Sequence, residues 1–298
     1  MSAFLRHLQE KLACAKKTIT ASPVVRQHAK GFYPLFLLSL VVGCSPNSES
    51  SHALGQGPAV RGETVQRGDI TQATATDYSL CDNADTAYAH PAEVEVLMLD
   101  SKANTKHLNE KIASLINLEE IYLFDNRTLD FETFFKEMRH LKKLHKMQLL
   151  NCQIQVTGNL KQLLTLKTLV LKNNGLKTVP LELIAALALD ELIIVEDRFA
   201  FTGKMSSRSS LKSLDISGNR ERHLNPELYK LKQLTQLTLF GSDLKYISPR
   251  ITQLPSLRKL TVLACPLSSD SKELITLREV LPSKCELVTD ENYKSSHQ

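Results

Sequence analysis

The stretch LKTLVLKNNGLKTVP, residues 166–180, fits neither simple period of apolar residues. A helix would place them at i, i+3, i+4 and i+7, and a half-buried strand would alternate strictly. Here alternation covers Leu169 and Leu171 and then stops. The frame, apolar at its first, fourth, sixth and eleventh positions with a short polar residue at the ninth, recurs along the chain. Its first position falls at Val94, Leu118, Leu144, Leu166, Leu189, Leu211, Leu234 and Leu257, at intervals of 24, 26, 22, 23, 22, 23 and 23 residues. Each unit predicts a short strand across the fourth to sixth positions, a sharp corner at the ninth, and a return segment.

Units this short exclude helical arrays built on repeats of about 34 or about 40 residues and fit a repeat of about 20 to 29. The sequence resembles bacterial leucine-rich-repeat proteins over residues 92–282. The resemblance implies an α/β solenoid, a right-handed curved horseshoe of about eight repeats of 22–26 residues with a parallel sheet on its concave face. It also implies protein binding as the usual role, with no cofactor, although a fold does not determine a ligand.

The ninth position holds Asn126, Cys152, Asn174, Asp197, Asn219, Ser242 and Cys265. A coil that turns sharply after its strand strands backbone N–H and C=O groups inside the stack, and a short polar side chain there satisfies them. These seven are therefore expected to be structural, and the sequon-like Asn126-Arg127-Thr128 is read the same way. In the first repeat Lys102 and Asn104 stand where the ninth and eleventh residues belong, which predicts an irregular first turn.

Residues 77–91 read as a capping helix, with Leu80, Ala84 and Ala87 at helical spacing and Pro91 stopping it. At the other end Asp270–Leu281 reads as a helix, Cys285–Leu287 as a last strand within a cap over 283–298, and Asn292–Gln298 as a frayed tail. Returns differ in quality: Val179, Leu183 and Leu187 pack the one after Leu176, whereas Thr202–Ser210 offers almost no apolar anchor. A mobile loop and the weakest seam are expected there. Gly203-Lys204 lacks the first glycine and the Ser/Thr of a phosphate-binding loop.

The first 91 residues contain no repeat. Phe32–Val42 is an apolar run of eleven, too short to cross a bilayer, led by Arg26, His28 and Lys30. Basic lead, short apolar core and Val41-Val42-Gly43-Cys44 resemble a lipoprotein signal with its lipobox, which implies lipidation at Cys44 and makes 1–44 a targeting segment. The lead is long; residues 1–23 either form a basic amphipathic helix through Phe4, Leu8 and Leu12 or precede a true start at Val24 or Val25, the favoured reading. Residues 45–76, rich in Ser, Gly, Thr, Gln and Ala, read as a flexible linker spanning about 30 Å. Ser45, not aspartate, follows the cysteine, which by resemblance points to the outer membrane.

Charge follows the same division. Residues 1–44 hold six Lys or Arg and one Glu, a net +5, equal to the +5 of the whole chain, so the remainder is balanced. Bulk charge thus gives no sign of a nucleic-acid surface, and Lys142, Lys143 and Lys146 read as solvated.

Cys81, Cys152, Cys265 and Cys285 lie too far apart in a stack to bond and are expected as buried free thiols. No C-x-x-C pair or ligand-spaced histidine suggests a metal, and no hydrolase, metalloprotease or phosphate-loop motif suggests an enzyme. Asp190-Glu191 and Glu119-Glu120 flank strands, where charges usually face water.

The recognition candidates are the side chains alternating with the core leucines. One column is Tyr122, Gln148, Val170, Ile193, Asp215, Thr238 and Thr261; the next is Phe124, Leu150, Lys172, Val195, Ser217, Phe240 and Leu263. Eight of the fourteen are apolar or aromatic, which predicts an exposed binding stripe through Tyr122, Phe124, Leu150, Lys172, Val195, Phe240 and Leu263. The expected protein is a monomeric, non-enzymatic binder of protein or peptide, lipid-anchored in the bacterial envelope. A glycan-associated wall protein, and less so an enzyme sited in the 200–210 loop or the N-terminal cap, are the alternatives.

Overall fold

The computed structural model describes residues 78–101, 107–154, 158–205, 209–219 and 221–290. The targeting segment, the linker, Lys102, Asn104 and the tail from 291 lie outside the described residues.

Each frame start opens a strand two residues later. The strands are β1 (Leu80–Cys81), β2 (Val96–Asp100), β3 (Glu120–Phe124), β4 (Lys146–Leu150), β5 (Thr168–Lys172), β6 (Thr178–Pro180), β7 (Glu191–Val195), β8 (Ala200–Thr202), β9 (Ser213–Asp215), β10 (Gln236–Phe240), β11 (Lys259–Leu263) and β12 (Glu286–Val288). Ten of them form one sheet in the order β1-β2-β3-β4-β5-β7-β9-β10-β11-β12, every pair parallel. Sequential order in a parallel sheet requires one crossover per repeat, always on the same face, and that is a leucine-rich-repeat solenoid.

Register follows the frame: Ile121, Met147, Leu169 and Leu192 are paired in a row, as are Leu123, Leu149, Leu171 and Ile194. All eight are buried, as are the eight frame-first residues from Val94 to Leu257. Returns close the core from the other side. Helix α1 is Ala84–Ala89 and α2 is Leu108–Lys111, while α3, Phe131–Met138, turns Phe131, Phe134, Phe135 and Met138 inward. Helix α4 is Leu181–Ala186, and α5, Ser271–Val280, is capped by Asp270 accepting from the Lys272 and Glu273 amides. Short 3-10 turns serve elsewhere, such as Pro226–Lys230 and Pro249–Gln253.

Two expectations need correction. The N-terminal segment is not one helix: Leu80 and Cys81 pair with Val96 and Leu97 as an edge strand. The helix begins only after Asn83, whose Oδ1 accepts from the Asp85 and Thr86 amides. Leu80 is accordingly outside the core, 39 % exposed. The return after Phe199 is also better anchored than its composition implied. Phe201 and Met205 are buried, Phe199 and Phe201 meet edge to face at 4.8 Å, and β8 pairs with β6 in a small second sheet. Glu182 accepts the Lys204 amide at 2.9 Å and Glu227 the Met205 amide at 2.8 Å. Residues 206–208 of the expected loop lie outside the described residues.

Candidate interaction face

The corner positions decide how rigid the sheet face is. Asn174 Nδ2 donates to the Leu149 carbonyl at 2.8 Å while its Oδ1 accepts the Cys152 amide at 2.8 Å. Asn219, two repeats on, donates to Ile194 at 3.0 Å and accepts the amide of Arg198, one residue past the corner, at 2.9 Å, and Asn126 donates to Leu99 at 3.3 Å. The thiols imitate the donor half: Cys152 bonds Leu123 at 3.5 Å and Cys265 bonds Leu239 at 2.9 Å, with Ser242 beside Cys265 at 3.1 Å. Burial pushes the Cys152 thiol up to about 11 and also raises Cys265, which keeps both as weak donors rather than thiolates. Cys285 departs from expectation in being only half-buried.

Asp197 is the exception in this row. Its Oδ1 accepts the Asn174 and Leu176 amides at 2.5 and 3.1 Å, but its buried Oδ2 has no partner and, unlike an asparagine nitrogen, cannot donate when ionised. Burial holds its carboxyl above the ordinary range.

A second row was not read from the sequence. The eighth frame residue has a positive φ in seven successive repeats: Asp125, Asn151, Asn173, Glu196, Gly218, Gly241 and Ala264, between 50° and 69°. Five of the seven are Asp, Asn or Gly, the residues that tolerate this conformation. That enrichment was the available signal.

On the sheet face the register sets three columns, and they are closer-packed than alternation implied. Val195 is 5 % and Leu263 6 % exposed, so two members of the expected stripe are buried rather than presented; Val170, Gln148, Ser217 and Thr261 are buried with them. Side chains on in-register parallel neighbours stand about 4.8 Å apart, so a short side chain such as Val195 between Lys172 and the next strand is covered by them. Tyr122, Phe124, Leu150, Lys172, Ile193 and Phe240 keep partial exposure.

Charges are interleaved with these. Glu120 is half-buried, 3.3 Å from Lys146, and accepts the Tyr122 hydroxyl; the Lys146 ammonium also lies 5.3 Å from the Tyr122 ring centre. Lys146 and Glu120 thus belong to the face instead of the solvated surface expected of them. Lys172 pairs with Glu196 at 3.4 Å. Burial pushes the Asp215 carboxyl up to about 6 against the bonds it accepts from the Ser217 hydroxyl and, at 2.9 Å, the Ser217 amide, with Glu191 adding to the rise and Lys172 opposing it. Among the described residues no group of three or more His, Cys, Asp or Glu is placed to hold a metal ion.

No family model matches the sequence, and no curated protein does. Solved structures do. Internalin C2 from Listeria monocytogenes matches at 24 % identity over 60 % of this chain and 72 % of its own, with a TM-score of 0.44. The repeat protein FLRT2, in an octameric complex with Latrophilin 3 and Unc5D, matches at 20 % over 66 % and 69 %, with a TM-score of 0.47. TLR13, in a complex with a single-stranded RNA, matches at 23 % over 58 % of this chain and 26 % of its own, with a TM-score of 0.46. The fold stands on the register of its own strands and rests on none of these likenesses: the described chain is a leucine-rich-repeat solenoid.

Proposed function

We propose that this is a non-enzymatic recognition protein of the bacterial envelope, holding a protein or peptide against its sheet and tethered by lipid at Cys44. The observation that carries the recognition half is the partly exposed set Tyr122, Phe124, Leu150 and Phe240, held in register among paired charges on a hydrogen-bonded ladder. Aromatic and aliphatic side chains that are already ordered lose little entropy on binding, and such groups at an interface centre dominate its energy. The tether half rests on the basic lead, the apolar run and the Val-Val-Gly-Cys sequence ending at Cys44. One acyl chain gives only marginal attachment, so stable anchoring needs at least two.

Photo-crosslinking residues placed at 124 and 240, with one at Lys177 on the return side, test recognition in cells. Adducts from 124 and 240 but not from 177 are expected; adducts from 177 alone would reject the sheet face. Cys44→Ala is expected to abolish labelling by a fatty-acid probe and release the chain from membranes. Unchanged fractionation would remove the anchor while leaving the sheet-face reading intact.

A further inference from the structure

The two long edges of the sheet differ in charge. Because all strands run parallel, the residues just before each strand form one edge, tied by bonds from the Lys167, Asp190, Lys212, Thr235 and Arg258 amides to the carbonyls of the preceding repeat at 2.8–2.9 Å. This strand-start edge carries exposed Lys142, Lys143, Lys167, Lys212, Lys232 and Arg258, with Glu95 and Glu119 at the equivalent position of the first two repeats. Asp190 offsets Lys212 at 2.8 Å, but Lys142, Lys167 and Lys232 bond backbone carbonyls, which leave their charge uncancelled. The strand-end edge instead bears Asp100, Asp125, Glu196, Asp243 and Asp290, with Arg127, Arg198 and Lys172, the last paired with Glu196, among them.

Two side chains on the basic edge are out of place for a solvated surface. Ile116 and Leu164 are 62 % and 63 % exposed. Both sit two residues before a frame-first leucine, at the tip of matching turns in which their amides bond the carbonyl two residues back, at 2.9 and 3.0 Å. Lys142 holds the equivalent position in the repeat between them, since β3, β4 and β5 are adjacent and in register. The result is a row of aliphatic, cationic and aliphatic tips, with Lys143 and Lys167 beside it toward Leu164 and Glu95 and Glu119 beside Ile116.

We propose that this edge docks on a lipid surface bearing anionic headgroups, with Ile116 and Leu164 entering the interface and Lys142, Lys143 and Lys167 facing the headgroups. A bilayer uses both kinds of side chain, whereas the phosphates of a nucleic acid use only the cations. The chain also arrives on this edge, because Tyr78 and Ser79 precede β1. Only that point gains force from the proposed anchor at Cys44; the charge and the protruding aliphatics stand without it.

The sequence contains no tryptophan, so Leu164→Trp supplies a single local reporter. In purified Cys44→Ala full-length protein, which carries no acyl chain, vesicles of phosphatidylcholine with phosphatidylglycerol are expected to shift its emission to the blue, and vesicles of phosphatidylcholine alone are not. Adding Lys142→Glu, Lys143→Glu and Lys167→Glu should weaken that response at least about tenfold, and Ile116→Ser should weaken it further. A reporter at Asp243 on the opposite edge should keep its aqueous emission, so binding through the N-terminal segment alone is not mistaken for docking. No shift at 164 with anionic vesicles overturns the proposal. So does an equal response to a short DNA duplex that Ile116→Ser leaves unchanged, which would make the edge a general polyanion surface. Neither outcome bears on acylation at Cys44.

Discussion

Asn174 and Cys152 occupy the same corner one repeat apart, and the Asn174 Oδ1 accepts the Cys152 amide at 2.8 Å. One side chain thereby satisfies two buried backbone groups of the preceding repeat, since its Nδ2 reaches Leu149. Asn174→Leu should leave both unpaired and cost about 1 to 3 kcal/mol. Thermal and denaturant unfolding check this; stability equal to wild type would contradict the bridging role.

Asp197 gives the reverse case. Asparagine there keeps the Oδ1 bonds to the Asn174 and Leu176 amides and replaces the partnerless Oδ2 with a donor. By frame equivalence the acceptor is the Leu171 carbonyl. Asp197→Asn should therefore stabilise at neutral pH by about 1 kcal/mol. The acid's folded pKa is raised, so its favourable contribution is present at low pH and lost as pH rises through its unfolded and then its folded value. The gain should fade toward pH about 4. A gain independent of pH would point to packing instead.

Asp215 carries a second pH signature. Its carboxyl titrates near 6 in the folded state, above its value in an unfolded chain, so stability falls between about pH 4 and 6 and stays lower at neutrality. Asp215→Asn should raise the melting temperature at pH 7.5, by the equivalent of at most about 3 kcal/mol and less where water screens the site. At pH 4 it should be neutral. A melting profile that is parallel for wild type and variant would show the carboxyl ionising normally.

Much of the stack was legible because the repeat imposes one environment many times. Leu169 and Leu171 could be assigned to the core, and Asn174 to the corner, because each has equivalents above and below it. What a single frame does not encode is how neighbours cover each other. Val195 and Leu263 alternate correctly with core residues yet are buried by adjacent strands. The Thr202–Ser210 stretch reads as weak in sequence because its supports are distant: Glu182 and Glu227 hold it by their carboxylates from the flanking returns. Helical spacing places Leu80 in a helix, but pairing with Val96 outweighs a two-turn local propensity.

Glu182 and Gly203 form a close pair that tests those supports. Gly203 has φ of +78°, and a Cβ there would lie 2.2 Å from Glu182 Oε1. Gly203→Ala should displace the carboxylate, break its bond to the Lys204 amide and add backbone strain, for a cost of about 1 to 2 kcal/mol. Combined with Glu182→Ala, the loss should be smaller than the sum of the single changes. Full additivity in a double-mutant cycle would separate the two residues.

The most direct test of recognition through the sheet is a paired measurement on Phe124→Ser with Phe240→Ser: partner capture from envelope extract, quantified against wild type, beside a thermal melt. Both rings are partly exposed, so the variant should melt close to wild type, losing less than the roughly 3 to 5 kcal/mol of a buried phenylalanine, while capture falls at least about tenfold for partners that wild type enriches. A normal melt with the same partners captured at the same level would contradict the sheet face as the binding surface.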